Sequence, residues 1–216
     1  MKTKEPFNPG IGNPNYRIIP SGKIILDLCG GTGAWSEPYK KAGYDVRLIT
    51  LPENNVVYFS PPKNVYGILA APPCTEFSYA KTSPKTPLRD FRKGIETMQA
   101  CMRIIWQSQR VETNGQKKTS LKFWALENPY GMMQFFLGKP AFMFSPYEYG
   151  DPYKKRTHLW GWFNKPDKKP IVCNANKFDM LLSKDIHPEK FGILTRTERR
   201  SITPAGFAQA FFEANP

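Results

Sequence analysis

Two prolines and a cysteine, Pro72-Pro73-Cys74, close an apolar run that begins at Val65. Such a run cannot continue as a central strand, because proline has no N–H for the ladder and restricts the residue before it. Cys74 is therefore handed to a loop at a strand's carboxyl end, where open α/β sheets place their ligands. A thiol in that position is a candidate nucleophile, although cysteine also serves as a small buried hydrophobe. A second apolar stretch, 121–126, ends at Glu127-Asn128-Pro129. A carboxyl group there is costly to bury without a partner or a task; its plainer role is a solvated strand end. A third stretch, Asp27-Leu28-Cys29-Gly30-Gly31-Thr32-Gly33, sets an acid before a cluster of glycines. A tight turn and a close approach of backbone to ligand need residues without a Cβ.

The elements that would position these groups read as alternating strands and helices. Residues 1–22, rich in Pro, Gly and Asn, form an irregular arm. Residues 23–28 are a short apolar strand, the glycine turn follows, a helix is expected over 36–42, and 46–51 is a second strand. Strand, glycine turn, helix and strand open a doubly wound nucleotide-binding fold. The turn is not the dinucleotide fingerprint, since Ser36 stands where its third glycine would be; an acid just before clustered glycines suits S-adenosyl-L-methionine better. Phe91, Ile95, Met98, Met102 and Ile105 fall at helical spacing within 88–111, most simply as core packing. Residues 79–92 are a long basic loop and 113–119 a shorter loop. Residues 147–163 combine a turn, the basic cluster Lys154-Lys155-Arg156 and an aromatic strand, a mixture able to meet phosphates and bases together. The Thr203-Pro204 pair starts a closing helix with an apolar face.

The bulk composition bounds the class. With 216 residues, 40% hydrophobic and 14% aromatic, the chain can build one core-bearing domain. No apolar run approaches the roughly 18 residues of a membrane span and no signal-peptide pattern follows Met1, so a cytoplasmic placement without membrane contact is expected. Four scattered cysteines without a Cys-x-x-Cys pair, and only two histidines, argue against a zinc site or a disulfide framework. The formal net charge of +13 suits a polyanionic partner. It reports attraction to nucleic acid rather than an activity.

Together, Asp27-Leu28-Cys29-Gly30-Gly31-Thr32-Gly33, Ala71-Pro72-Pro73-Cys74, Glu127-Asn128-Pro129 and Tyr149-Gly150-Asp151-Pro152 with the basic residues after it resemble, in order, the motifs of the DNA cytosine-5 methyltransferase family. Its short, phage-type members are the nearest pattern. The resemblance covers roughly 23–163 and 196–216. It implies a Rossmann-like α/β fold with a mostly parallel doubly wound sheet. It also implies S-adenosyl-L-methionine as cofactor, DNA as partner in a bacterial or phage-infected cytoplasm, and methyl transfer to carbon 5 of a flipped-out cytosine. By resemblance Cys74 is the nucleophile on carbon 6, Glu127 protonates N3 and Arg156 stabilises the ring near O2. The cofactor would be held by Asp27, Cys29, Gly30, Gly31, Thr32, Gly33, Trp35, Thr50, Leu51, Glu53 and Pro72. Ser78, Lys81, Lys85, Arg89, Lys154 and Lys155 would meet the nucleic acid. The implied organisation is an arm (1–22), a catalytic core (23–163), a small insertion or reduced recognition lobe (164–195) and a closing segment (196–216).

The departures from the family pattern are specific. The family's acidic residue at the end of the second strand is absent from Ile49-Thr50-Leu51-Pro52-Glu53, leaving Glu53 as the substitute, and Asn55 stands where an Asp near the adenine is common. Tyr153-Lys154-Lys155-Arg156-Thr157 lacks the family's Gln and second Arg. About 40 residues separate Trp160 from Arg200, little room for a recognition domain, so sequence readout is expected to be weak or supplied by a protein partner. Three other readings stay open: the same chemistry on RNA, a nucleotide or a modified base; a non-catalytic accessory module that binds cofactor or nucleic acid; and methylation of an exocyclic amine. The last is disfavoured because Ala71 and Cys74 occupy the places of its polar and aromatic residues.

Overall fold

A computed structural model describes residues 22–79, 81, 87–109, 112–113, 116–117, 119–173 and 192–216. The chain forms, in order, β1 (Ile24–Leu28), α1 (Glu37–Lys41), β2 (Asp45–Ile49), β3 (Val65–Ala70), α2 (Phe91–Gln109), β4 (Glu112–Thr113) and β5 (Gln116–Lys117). Then come β6 (Phe123–Pro129), α3 (Gln134–Leu137), β7 (Phe142–Phe144), a 3-10 turn (Pro146–Tyr149), β8 (Thr157–Trp162), α4 (Arg196–Ser201) and α5 (Ala205–Ala214). Six strands make one sheet in the order β2-β1-β3-β6-β8-β7. The first four run parallel, while β8 and β7 are antiparallel additions at one edge.

The central strands β1 and β3 are buried almost throughout, as parallel strands covered on both faces must be. On one face, Met98, Cys101, Ile104 and Ile105 of α2 pack on Leu26, Ile68 and Leu126. On the other, Tyr39 of α1 and Phe207 and Phe211 of α5 pack on Ile25, Leu69 and Phe123. Helices on both faces of a mostly parallel sheet make this a doubly wound, Rossmann-like α/β fold, as the order of elements led one to expect.

Sheet order fixes where a ligand can sit. From β1 the chain moves outward to β2 and then crosses back to β3 on the other side, so strand order reverses between β1 and β3. The crevice outside their carboxyl ends is the topological switch point. The glycine turn leaves β1 there and the Pro-Pro-Cys loop leaves β3 there.

Five elements differ from expectation. β6 runs on through Glu127 to Pro129, because β8 pairs with it along that length, from Trp124 with Trp162 to Pro129 with Thr157. Part of the expected loop 113–119 is a two-stranded antiparallel pair, β4 with β5. β7 and α3, both short, had no periodic signature to announce them. The arm up to residue 21, Lys85, and 174–191 of the proposed lobe lie outside the described residues. Residues 164–173 of that lobe lie outside any helix or strand and are fastened to the core, with the Lys169 and Ile171 amides donating to the Glu148 and Tyr147 carbonyls (2.8 and 2.9 Å). No described helix is long and apolar enough to cross a membrane.

Candidate active site

The nucleophile loop is built from backbone bonds and one arginine. After Ala70, the Ala71 amide still donates to Leu28 (2.9 Å), and the amides of Phe77 and Ser78 fold back onto the Cys74 carbonyl (3.0 and 2.8 Å). Phe77 is fully buried and anchors the turn in the core. Arg89 then donates to three carbonyls of the loop, those of Glu76 (2.8 Å), Ser78 (2.9 Å) and Lys81 (3.0 Å). Lys81 pairs with Glu76 at 2.6 Å. Arg89 and Lys81, expected on nucleic acid, are thus engaged within the protein, because a loop leaving a strand end needs its carbonyls satisfied.

The end of β6 is stitched to the same loop. The Asn128 side-chain amide donates to the Pro72 carbonyl at 3.0 Å. The Met132 amide donates to Phe77 (2.7 Å), and Ser78 bridges Gly131. A Cβ on Gly131 would collide with the Phe77 carbonyl, so this approach requires glycine. Pro72, expected to hold cofactor, is buried, and its carbonyl serves as the link between the two strand ends.

Glu127 and Lys155 meet across β6 and β8 by alternation. Glu127 lies directly opposite Leu159, and Thr157 and then Lys155 follow at period two on that face. The Lys155 ammonium lies 4.0 Å from the Glu127 carboxylate, with side chains only 15% and 17% exposed. It also donates to the Arg200 carbonyl at 3.0 Å. Arg156, one residue on, takes the opposite side: it is exposed, and its guanidinium lies 5.0 Å from the centre of the Tyr130 ring. The cation beside Glu127 is therefore Lys155, which had been placed on nucleic acid, and not Arg156, which had been placed on the reacting ring. Counting alternation back from the Leu159-Trp160 pair would have revealed this, but the register of β8 against β6 was not visible. Lys154 is exposed and faces the Tyr147 ring, 5.9 Å away.

These groups set each other's protonation. Burial pushes the Cys74 thiol above its ordinary value and the nearby Glu127 charge raises it further, while Lys155 and Arg200 pull it down. Burial likewise raises the Glu127 carboxyl, opposed by Lys155. A partly buried thiol, a carboxyl raised by burial and a held ammonium thus meet at adjoining strand ends. Arg200, whose charge reaches Cys74, was read from sequence only as the start of the closing helix.

At the neighbouring end of β1 the glycine turn closes on itself. The Cys29 amide donates to Ile49 (2.7 Å), tying the turn to β2, and the Gly33 amide to Gly30 (2.9 Å). Asp27 is fully buried. One of its carboxylate oxygens accepts the Ser36 hydroxyl at 2.5 Å, and the other finds no partner among the described residues. Burial lifts this carboxyl from 3.8 to about 6, against the pull of the Ser36 bonds. Thr32, Gly33 and Ala34 line a cavity of about 320 Å³ whose far wall is Tyr153, Ile202 and Thr203, with Glu37 and Asp151 at its side. Thr203 was read from sequence only as part of a helix start and Ile202 was not singled out, since nothing local marks a segment that closes a cavity from the far end of the chain.

The remaining expected cofactor residues divide. Trp35 is buried in the core, its ring 6.0 Å from Phe207 and 5.5 Å from Phe211, so it supports the turn from behind. Thr50, Leu51 and Glu53 lie just past β2 beside the turn, where Leu51 and Glu53 are exposed. Thr50 accepts the Asn54 amide (2.8 Å), and Asn55 accepts the Val57 amide through its side chain (2.9 Å), a turn-stabilising role.

No family model matches the chain, and no curated protein matches it. Among solved structures it is similar to a triple mutant of Spodoptera frugiperda DNMT2, at 16% identity with a TM-score of 0.39, over 72% of this chain. The match spans 56% of that chain's length.

Proposed function

We propose that the protein transfers a methyl group from S-adenosyl-L-methionine to carbon 5 of cytosine in DNA through a covalent adduct on Cys74. The observation that carries this reading is the convergence of Cys74, Glu127 and Lys155 at adjoining strand ends, beside the glycine turn. Carbon 5 of cytosine is a poor nucleophile until carbon 6 has been attacked. The Cys74 thiol gives its proton to solvent, its sulfur bonds to carbon 6, and Glu127 gives its own proton to N3 as charge builds on the ring. Burial raises the Glu127 carboxyl, which favours its protonated form, against the pull of Lys155. Lys155, held by the Arg200 carbonyl, places fixed positive charge beside the developing negative charge. Once carbon 5 has taken up the methyl group, water would remove the carbon 5 proton, the carbon 6–sulfur bond would break to release Cys74 as thiolate, and the N3 proton would return to Glu127.

The cofactor pocket is consistent with this ligand. Glu37 and Asp151 beside the cavity suit a ligand bearing an ammonium and a sulfonium, and the unpartnered oxygen of buried Asp27 lies under the turn. Thr32, Gly33, Ala34, Tyr153, Ile202 and Thr203 would hold it. When bound, it supplies an electrophilic methyl group.

Intact-mass measurement after incubation with S-adenosyl-L-methionine and DNA containing 5-fluorocytosine tests the reading. Fluorine blocks the final elimination, so the wild type should gain the mass of the oligonucleotide plus one methyl, and Cys74→Ala should not. Cofactor binding without an adduct would reject methylation of cytosine in DNA. Absence of cofactor binding would reject methyl transfer altogether.

A further inference from the structure

Beyond the reacting groups, the bridge between Ser78 and Gly131 sets two tyrosines side by side at the site's edge. Tyr79 lies five residues past Cys74 and Tyr130 three past Glu127. Their ring centres are 5.2 Å apart at 62°, and they remain 37% and 42% exposed. Aromatic rings this exposed, beside a catalytic loop whose other aromatic, Phe77, is fully buried, are not filling a core. They are nevertheless held in place. Tyr130 packs edge-on against buried His158 (5.3 Å), which packs on Trp160 (5.7 Å), and the Tyr130 amide donates to the Arg156 carbonyl (2.9 Å). The Arg156 guanidinium lies over the Tyr130 ring and makes no ion pair among the described residues.

We propose that Tyr79, Tyr130 and Arg156 form a stacking platform for unpaired bases of a single DNA strand that flank the base held at Cys74. The platform deepens the cytosine methyl-transfer reading and rests on it for the identity of the bound base. In a duplex, each base has its faces covered by its neighbours and shows only edges in the grooves. A free face, as in a single strand, is what a tyrosine ring or guanidinium plane stacks on, with little regard to base identity. The net charge of +13 supplies the complementary attraction to phosphates. A platform of this kind needs no sequence-reading element.

Fluorescence anisotropy with a labelled strand of about 12 nucleotides, its duplex and its RNA counterpart tests this in the full chain. The protein carries Cys74→Ala and no cofactor is added, so binding is read whether or not methyl transfer occurs. The single DNA strand should bind at least about tenfold tighter than the duplex. Tyr79→Leu with Tyr130→Leu should weaken single-strand binding by about tenfold to a hundredfold, the range for losing one or two stacked bases, and change duplex binding by less than about threefold. Tyr79→Phe with Tyr130→Phe should restore single-strand binding, which separates stacking from damage to the fold. Arg156→Gln, which removes the guanidinium plane, should weaken single-strand binding by about twofold to fivefold and leave duplex binding within about threefold. Equal affinity for strand and duplex, indistinguishable leucine and phenylalanine pairs, or tighter binding of RNA would each overturn the proposal.

Discussion

The two ends of the crevice are held by different means. At the Cys74 end two ties come from far along the chain, Asn128 to Pro72 and Met132 to Phe77, and Arg89 gathers three carbonyls of the loop from 8 to 13 residues on. At the glycine-turn end the principal ties are local, Gly33 to Gly30 and Ser36 to Asp27, with the Cys29 amide on Ile49 as the link to the next strand. A locally closed turn forms whenever its own few residues take the right backbone angles. The nucleophile loop acquires its shape only when β6 and the segment leading into α2 have docked. The two ends should therefore fail separately, and the largest test addresses the buried acid on which the local end is built.

Asp27 is held at about 6 in the fold against an ordinary 3.8. The fold binds that proton more tightly than the unfolded chain, so the associated stability is fully present below pH 3.8 and is lost as pH rises through about 6. At about 1.36 kcal/mol per pH unit, the difference amounts to about 3 kcal/mol. Asp27→Asn keeps an acceptor for Ser36 but cannot titrate. Wild type should therefore gain about 3 kcal/mol on the variant between pH 7 and pH 3.5 in denaturant unfolding. Parallel profiles for the two proteins would show that the buried acid does not retain its proton.

That difference in construction also explains what the sequence revealed. The glycine turn and the Pro-Pro-Cys stop are patterns within a few residues, and each was legible together with the alternating order of the strands. Lys155 beside Glu127, Arg200 behind Lys155, and Ile202 and Thr203 across from Thr32 are meetings between segments, set by strand register and by where α4 and α5 dock. The extension of β6 to Pro129 belongs to the same class, since its partner strand begins 28 residues later, at Thr157. Trp35 misled for the opposite reason. Its place in a cofactor-like motif suggested a ligand contact, while α5, distant in sequence, buried it against Phe207 and Phe211.

Removing the Arg89 tie at the Cys74 end should cost less than the protonation effect at Asp27. Arg89→Gln can keep one of the three carbonyl bonds and none of the charge. Hydrogen bonds from a charged donor contribute about 1.5–3 kcal/mol apiece but are not additive, so a stability loss of about 2 kcal/mol is expected. The sharper readout is functional. Trapping on 5-fluorocytosine DNA should slow by about tenfold as Cys74 loses its fixed position, while calorimetric affinity for S-adenosyl-L-methionine changes by less than about twofold. An equal loss in both would show that the crevice behaves as one unit.

Gly31→Ala is the converse test and the smallest effect. Gly31 has φ +56, in the left-handed region, and a Cβ built there meets nothing within 4 Å. Steric collision therefore contributes nothing, and only backbone strain remains, about 1–2 kcal/mol for an L-residue held in that region. The turn can relieve the strain by rotating toward negative φ, which would re-aim the backbone beside Thr32 and Gly33 where they line the cavity. Affinity for S-adenosyl-L-methionine should then fall by about fivefold to thirtyfold, the same energy expressed as a binding constant. At saturating cofactor, Cys74 should trap 5-fluorocytosine at the wild-type rate, because no bond of the nucleophile loop passes through Gly31 among the described residues. A slower trap at saturation would mean that strain in the glycine turn reaches Cys74, and the Ala71 amide on the Leu28 carbonyl is the bond through which it would travel.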